Sequence, residues 1–189
     1  NKPRTYLFKN YLFSDGFFGA GRNVFNNNTL LQDSNGNIWV SSDDRLTCFH
    51  PEMDIPDTIP PNIQLTGISL FNENINWLNL EKKKDTTLVL SNGVKMQDFK
   101  FSTVSKWYSL PEKLKLVYNN NYLTFQFIGI TTKRPKEVKY QYQLEGLDEN
   151  WNATTDQAEA SYSDLSEGTY TFKVKAINSE GYWSTEFRY

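Results

Sequence analysis

Two stretches late in the chain alternate apolar and polar residues with the period of a half-buried strand. In the first, Val138, Tyr140, Tyr142 and Leu144 share one face, and Lys139, Gln141 and Gln143 share the other. In the second, Tyr170, Phe172, Val174 and Ala176 point inward, while Thr169, Thr171, Lys173 and Lys175 are expected in water. The same period runs through residues 63–71, read as the opening strand of the same unit and turned by Asn72-Glu73-Asn74. It returns after Asn119-Asn120-Asn121, where Leu123, Phe125 and Phe127 are placed in the core. Nearer the start, 29–32, 37–41 and 46–51 are short strand candidates. Asn35-Gly36 supplies hairpin chemistry between the first two, and Pro51 stops the third. From 88 to 116 the pattern breaks, with only Leu114-Lys115-Leu116 reading as a strand and Trp107-Tyr108 standing in a loop.

Leu165-Ser166-Glu167-Gly168-Thr169-Tyr170 precedes the second strand. Gly168 permits a corner there, and Tyr170 two residues on can fold its ring beneath it. This is the sequence form of the tyrosine corner of immunoglobulin-like and fibronectin-like sandwiches. Trp151, just past the turn at 146–150, is expected as the large filler between the sheets. The predicted fold is therefore all-β, an immunoglobulin/fibronectin-like β-sandwich over 63–189 whose last strand, 184–189, reads as truncated because Phe187 and Tyr189 still alternate with Glu186 and Arg188. Pro56, Pro60 and Pro61 make 56–62 a stiff connector, and 1–55 a separate unit.

Aromatic residues make up 15% of the chain, which suits β structure because rings pack well on a pleated surface. Twenty basic against 22 acidic residues leave no electrostatic footprint for a polyanion, so nucleic acid is not an expected partner. The single cysteine, Cys48, excludes an internal disulfide. No apolar run reaches the ~18–20 residues of a membrane helix, so any membrane attachment is expected through segments outside this sequence.

Several features resemble sites and are read more simply. Asp33, Asn35 and Asn37 alternate as in a calcium loop, but Gly36 stands at the fourth position instead of the sixth and Asp44 replaces the terminal glutamate. Cys48 and His50 offer two ligands where zinc needs three or four. The sequons at 27–29 and 152–154 lie beside packed elements, and the run 81–85 reads as a solvated loop. One histidine and one cysteine two residues apart on a strand cannot form a nucleophile–base pair. Glu145, Asp148 and Glu149 cluster because they share a turn. No catalytic residue, metal or cofactor is expected.

The run 140–148, then Trp151, Tyr162-Ser163-Asp164-Leu165, Gly168 to Ala176, Asn178 and Gly181-Tyr182-Trp183-Ser184 closely resembles the triple-tyrosine (Y_Y_Y) domain, whose tyrosines fall on Tyr142, Tyr162 and Tyr170. The string 31–40, with Arg45-Leu46 and Phe49-His50-Pro51, resembles a regulator-propeller repeat, in which an aspartate, a glycine turn and a tryptophan (here Trp39) build one blade. Residues 6–8 and 11–13 are read as the edge of another blade. The resemblance implies the periplasmic sensor region of a hybrid two-component histidine kinase or related regulator. That means a non-catalytic module, homodimeric in the intact sensor, that transmits binding of an oligosaccharide. Trp107 and Tyr108 are the candidate ligand residues within this chain. The competing reading is a carbohydrate-binding or adhesive accessory sandwich, in which the same two rings would stack on sugars.

Overall fold

The structure, a computed structural model, describes residues 10–11, 30–41, 45–83, 87–118 and 122–189. Expectations placed on 6–8, 12–13, 27–29, Asp44, 84–85 and 119–121 lie outside them. The chain forms two compact units, Asn1–Pro56 and Asp57–Tyr189.

The first unit carries an antiparallel sheet of β1 (Leu30–Gln32), β2 (Ile38–Ser41) and β3 (Leu46–Phe49), in that order. Gln32 pairs with Ile38 and Ile38 with Phe49. The β1–β2 turn is closed by the Gly36 amide donating to the Asp33 carbonyl (3.0 Å), with Gly36 at φ 85. This left-handed glycine is the residue the three-residue hairpin loop requires.

The second unit is a sandwich. One sheet has the order β10 (Glu159–Tyr162), β8 (Leu123–Ile130), β4 (Asn62–Leu70), β5 (Glu73–Asn74). The other has the order β12 (Phe187–Arg188), β11 (Thr171–Ile177), β9 (Lys139–Glu145). Phe125 from the first sheet stacks on Phe172 from the second, with centroids 4.2 Å apart and planes at 6°. Leu65, Ile68, Leu123, Phe127, Tyr140, Leu144, Val174 and Ala176 complete the buried centre. Removing a side chain the size of Phe172 from water contributes ~1.5–3 kcal/mol, so this inter-sheet stack is a principal source of stability.

Strand β4 does not alternate cleanly. A bulge between Leu65 and Gly67, opposite Phe127 and Gln126, shifts its phase, so Ile63 and Leu65 face inward before it and Ile68 and Leu70 after it. Strand β12 is only two residues long, yet Tyr189 beyond it exchanges both backbone bonds with Phe172 (2.9 Å each). The outer edge of β9 is not open, because Asn152 donates to the Tyr142 carbonyl and Thr155 exchanges bonds with Tyr140.

The described residues of 75–118 contain elements that periodicity did not predict. Helix α1 (Trp77–Lys83) takes up Glu81, Lys82 and Lys83, which were expected in a loop. Its Trp77 indole donates to the Ile68 carbonyl (2.9 Å) and meets Phe99 and Phe101 edge-on. A hairpin of β6 (Thr87–Val89) and β7 (Lys95–Gln97) follows. The chain then doubles back through the bridges Lys100–Lys115 and Val104–Pro111. Residues 57–59, placed in the connector by the sequence, are fastened to the sandwich. The Asn178 amide donates to the carbonyls of Asp57 (2.8 Å) and Ile59 (3.2 Å).

Candidate functional site

The most organised polar centre of the second unit is built around Tyr142, Tyr162 and Tyr170, and its chemistry is structural. Asp148, in the turn after β9, accepts the Leu144 amide (2.7 Å) and the Tyr162 hydroxyl (3.2 Å). Burial first, then the charge of Asp148, pushes the Tyr162 phenol far up, so this hydroxyl stays protonated and serves as a donor. Tyr142 packs its ring between Phe127 and Phe172. The Tyr170 hydroxyl donates to the Ser166 carbonyl (2.8 Å), which is the expected corner. The glycine that this corner depends on is not Gly168. A Cβ on Gly168 would make ordinary contact at 3.5 Å, with no left-handed backbone. Gly146 instead has φ 103, and a Cβ there would stand 3.0 Å from the Tyr170 ring and 3.1 Å from the Thr169 carbonyl.

Trp151 does not fill the space between the sheets. It is half-buried on the outer face of β9 and β11, where the Lys175 ammonium lies 4.4 Å from its ring and 4.7 Å from that of Trp183. Both rings are within cation–π range of the ammonium. Lys173, also expected in water, is buried and pairs with Glu145 at 2.8 Å. The hydrogen bond from Lys173 holds the Glu145 carboxyl below its ordinary range.

In the first unit the spaced Asp33-Asn35-Asn37 triplet is a turn clasp. One Asp33 oxygen accepts the amides of Asn35 (2.9 Å) and Asn37 (3.0 Å), and the other accepts the Asn37 side chain and the Trp39 indole (2.9 Å each). These donors, the Trp39 indole first, lower the Asp33 pKa from 3.8 to about 2. With its lone pairs turned to N–H groups, Asp33 is not arranged for a cation. His50 contacts Asn37 through Nδ1 (2.7 Å), and burial raises the pKa of the half-buried Cys48 thiol. Among the described residues no three His, Cys, Asp or Glu converge as metal ligands.

The candidate ligand residues Trp107 and Tyr108 stand on the tip of the hairpin spanning 100–115 and are 75% and 49% exposed. Lys106 lies 5.7 Å from the Trp107 ring centre. Just below the tip Glu81 accepts the Thr103 hydroxyl (2.7 Å) and the Val104 amide (3.1 Å). The Tyr189 hydroxyl donates to the Pro111 carbonyl. Burial keeps that phenol protonated, with a pKa well above its ordinary value. Sequence reasoning found the two rings but neither fastening. Glu81 was read into a solvated charge run and Tyr189 only as part of an alternating strand.

This all-β architecture agrees with comparisons to known proteins. The Y_Y_Y domain family matches residues 132–189, in the C-terminal part of the sandwich. The chain is 24% identical over 178 residues to Histidine kinase P4 of Formosa agariphila, covering 94% of this chain and 12% of that protein. Among solved structures, the extracellular domain described for a hybrid two-component system of B. thetaiotaomicron superposes with a TM-score of 0.56 at 21% identity, over 84% of this chain and 19% of that one. A second such domain, described for a one-component system of the same organism, gives 0.45 at 20% identity, with the same shares covered. The chain thus spans less than a fifth of the relatives it matches.

Proposed function

We propose that this chain is a non-catalytic, extracytoplasmic sensor module of a two-component signal-transduction protein. It works in the periplasm, and it carries the effect of a bound oligosaccharide to a membrane-linked histidine kinase or similar regulator. The observation that carries this reading is the Y_Y_Y match on a complete corner-and-clasp sandwich, in one chain with an Asp-turn-Trp hairpin sheet of the regulator-propeller pattern. On this reading the first unit is one blade of a propeller, and the oligosaccharide is held by that propeller. A single blade leaves its faces and edges to neighbours, which accords with the exposure of Leu30, Leu31 and Leu46. The sandwich sequence contains neither histidine nor cysteine, and its polar centre at Asp148 is committed to backbone and Tyr162.

The mechanism consistent with this reading is a change in the spacing of two chains. A ligand shifts such an equilibrium only through its differential affinity for the two arrangements, and moving it from 1:99 to 99:1 takes ~5.5 kcal/mol. One sandwich by itself has no partner against which to exert that difference. The chain 1–189 is therefore expected to sediment as a monomer or weak dimer, and the whole extracellular region to dimerise more strongly at the same concentration. An extracellular region that stays monomeric with its oligosaccharide bound would defeat the mechanism.

A further inference from the structure

The hairpin tip 105–110 maintains a disfavoured backbone at exposed residues, and of its side chains only Leu110 is buried in the core. Tyr108 and Ser109 both lie in the left-handed region, at φ 62 and 49, where a bulky side chain is unusual. Their neighbours do not explain this, since Trp107 and Tyr108 point mostly into solvent. The tip is held by polar bonds instead. The Ser105 amide donates to the Leu110 carbonyl (2.8 Å), and its hydroxyl donates to the Trp107 carbonyl (2.6 Å) while accepting the Leu110 amide (3.0 Å). Two large rings are thus presented outward on a fixed loop.

The hairpin carries a small excess of base. Segment 98–118 contains Lys100, Lys106, Lys113 and Lys115 against Asp98 and Glu112, with Glu81 of α1 bonded to Thr103 and Val104 as a third carboxylate, in a chain whose formal net charge is -2. Lys100 and Lys115 are bridged directly opposite one another, their backbones exchanging bonds of 2.9 and 2.7 Å. Phe99, Phe101, Leu114 and Leu116 turn into the core, so the two lysines share the outer, exposed face. Like charges in such a pair repel. Among the described residues none of the four lysines has a carboxylate partner. The site asks for an anionic surface.

Protein interfaces are depleted in lysine, and small-ligand sites are concave, whereas this is a protruding tip. Tryptophan, tyrosine and lysine together are the residues that favour the headgroup level of a bilayer, where amphipathic rings sit and ammonium groups meet phosphates. We propose that the hairpin 100–115 is a membrane-contact element. Trp107 and Tyr108 seat in the interface of an anionic bilayer, and Lys106 beside them meets its phosphates. Lys100 and Lys115 stand seven residues behind Trp107 and Tyr108 along their strands, or ~20 Å. With the tip ~5 Å deep, they lie beyond the ~8 Å reach of the surface potential at physiological salt, so the electrostatic part of the contact falls to Lys106, beside the Trp107 ring. This contact is made by the chain itself and does not depend on the sensor reading.

The test is co-sedimentation of the chain 1–189 with phosphatidylcholine vesicles, with and without phosphatidylglycerol. The expected result is binding only when phosphatidylglycerol is present, weakened by salt. Lys106→Gln should lower the affinity about fivefold. Trp107→Ala combined with Tyr108→Ala should abolish binding, with the circular dichroism spectrum unchanged. Lipids with brominated chains should quench the wild-type tryptophan fluorescence but not that of Trp107→Phe. Equal binding to both vesicle types, no binding to either, or quenching that survives Trp107→Phe would overturn the proposal. So would retention of an oligogalacturonate that Trp107→Ala abolishes, if vesicle binding is absent, since the tip would then be a glycan platform. None of these failures would touch the sensor reading, which rests on the sandwich.

Discussion

Tyr170 and Gly146 show how a corner is built from two distant pieces of chain. The ring of Tyr170 lies against Gly146 while its hydroxyl reaches Ser166, so one residue ties the turn after β9 to the approach to β11. Gly146→Ala should lower stability by ~1–3 kcal/mol, combining left-handed strain with a forced contact. Gly168→Ala should stay within ~0.5 kcal/mol, and Tyr170→Phe should cost ~0.5–1.5 kcal/mol for the lost hydrogen bond. Urea midpoints of the three variants decide between them. A Gly168→Ala effect larger than that of Gly146→Ala would reverse the assignment. Spacing alone pointed to Gly168 because it precedes the tyrosine by two residues. Nothing local reveals that a glycine 24 positions earlier lies under the ring. The lysines carry a related lesson. Alternation correctly assigned Lys173 and Lys175 to the outer face, but it does not say whether that face is bare, and Glu145, Trp151 and Trp183 cover it.

Among the elements, the β1–β2 hairpin makes a pH-dependent claim. Asp33 has a folded pKa of about 2 against an ordinary 3.8. Its carboxylate therefore stabilises the hairpin fully above the unfolded value, and this contribution is lost as pH falls from 3.8 through about 2. The Trp39 indole proton, bonded to Asp33, should exchange slowly at pH 6 and progressively faster across that acidic window. Asp33→Asn should show fast exchange already at neutral pH. Exchange in the wild type that is flat through the window would contradict the clasp. The long strands were legible because one face of each is buried and period two records it. The bulge in β4 left a trace, an inward phase of Ile63 and Leu65 followed by Ile68 and Leu70, which the reading as one unbroken alternation passed over. Helix α1 was not legible. Seven residues with only Trp77 and Leu80 buried carry too little periodicity, and its anchors, the Ile68 carbonyl and the rings of Phe99 and Phe101, come from elsewhere in the chain.

At the level of the molecule, the chain passes from one unit to the other at Pro56–Asp57, in the stretch whose prolines the sequence reads as a connector. What composition did not reveal is that 57–59 belongs with the sandwich, because the clamp is the side chain of Asn178, more than a hundred residues away. The account as a whole treats these units as the part of a sensor that conveys a signal and performs no chemistry. The measurement that bears on this most directly is the coding sequence downstream of Tyr189. The account predicts an apolar span of ~20 residues, followed by histidine-kinase motifs or another regulatory output domain. A hydrolase domain joined to this sandwich would contradict it.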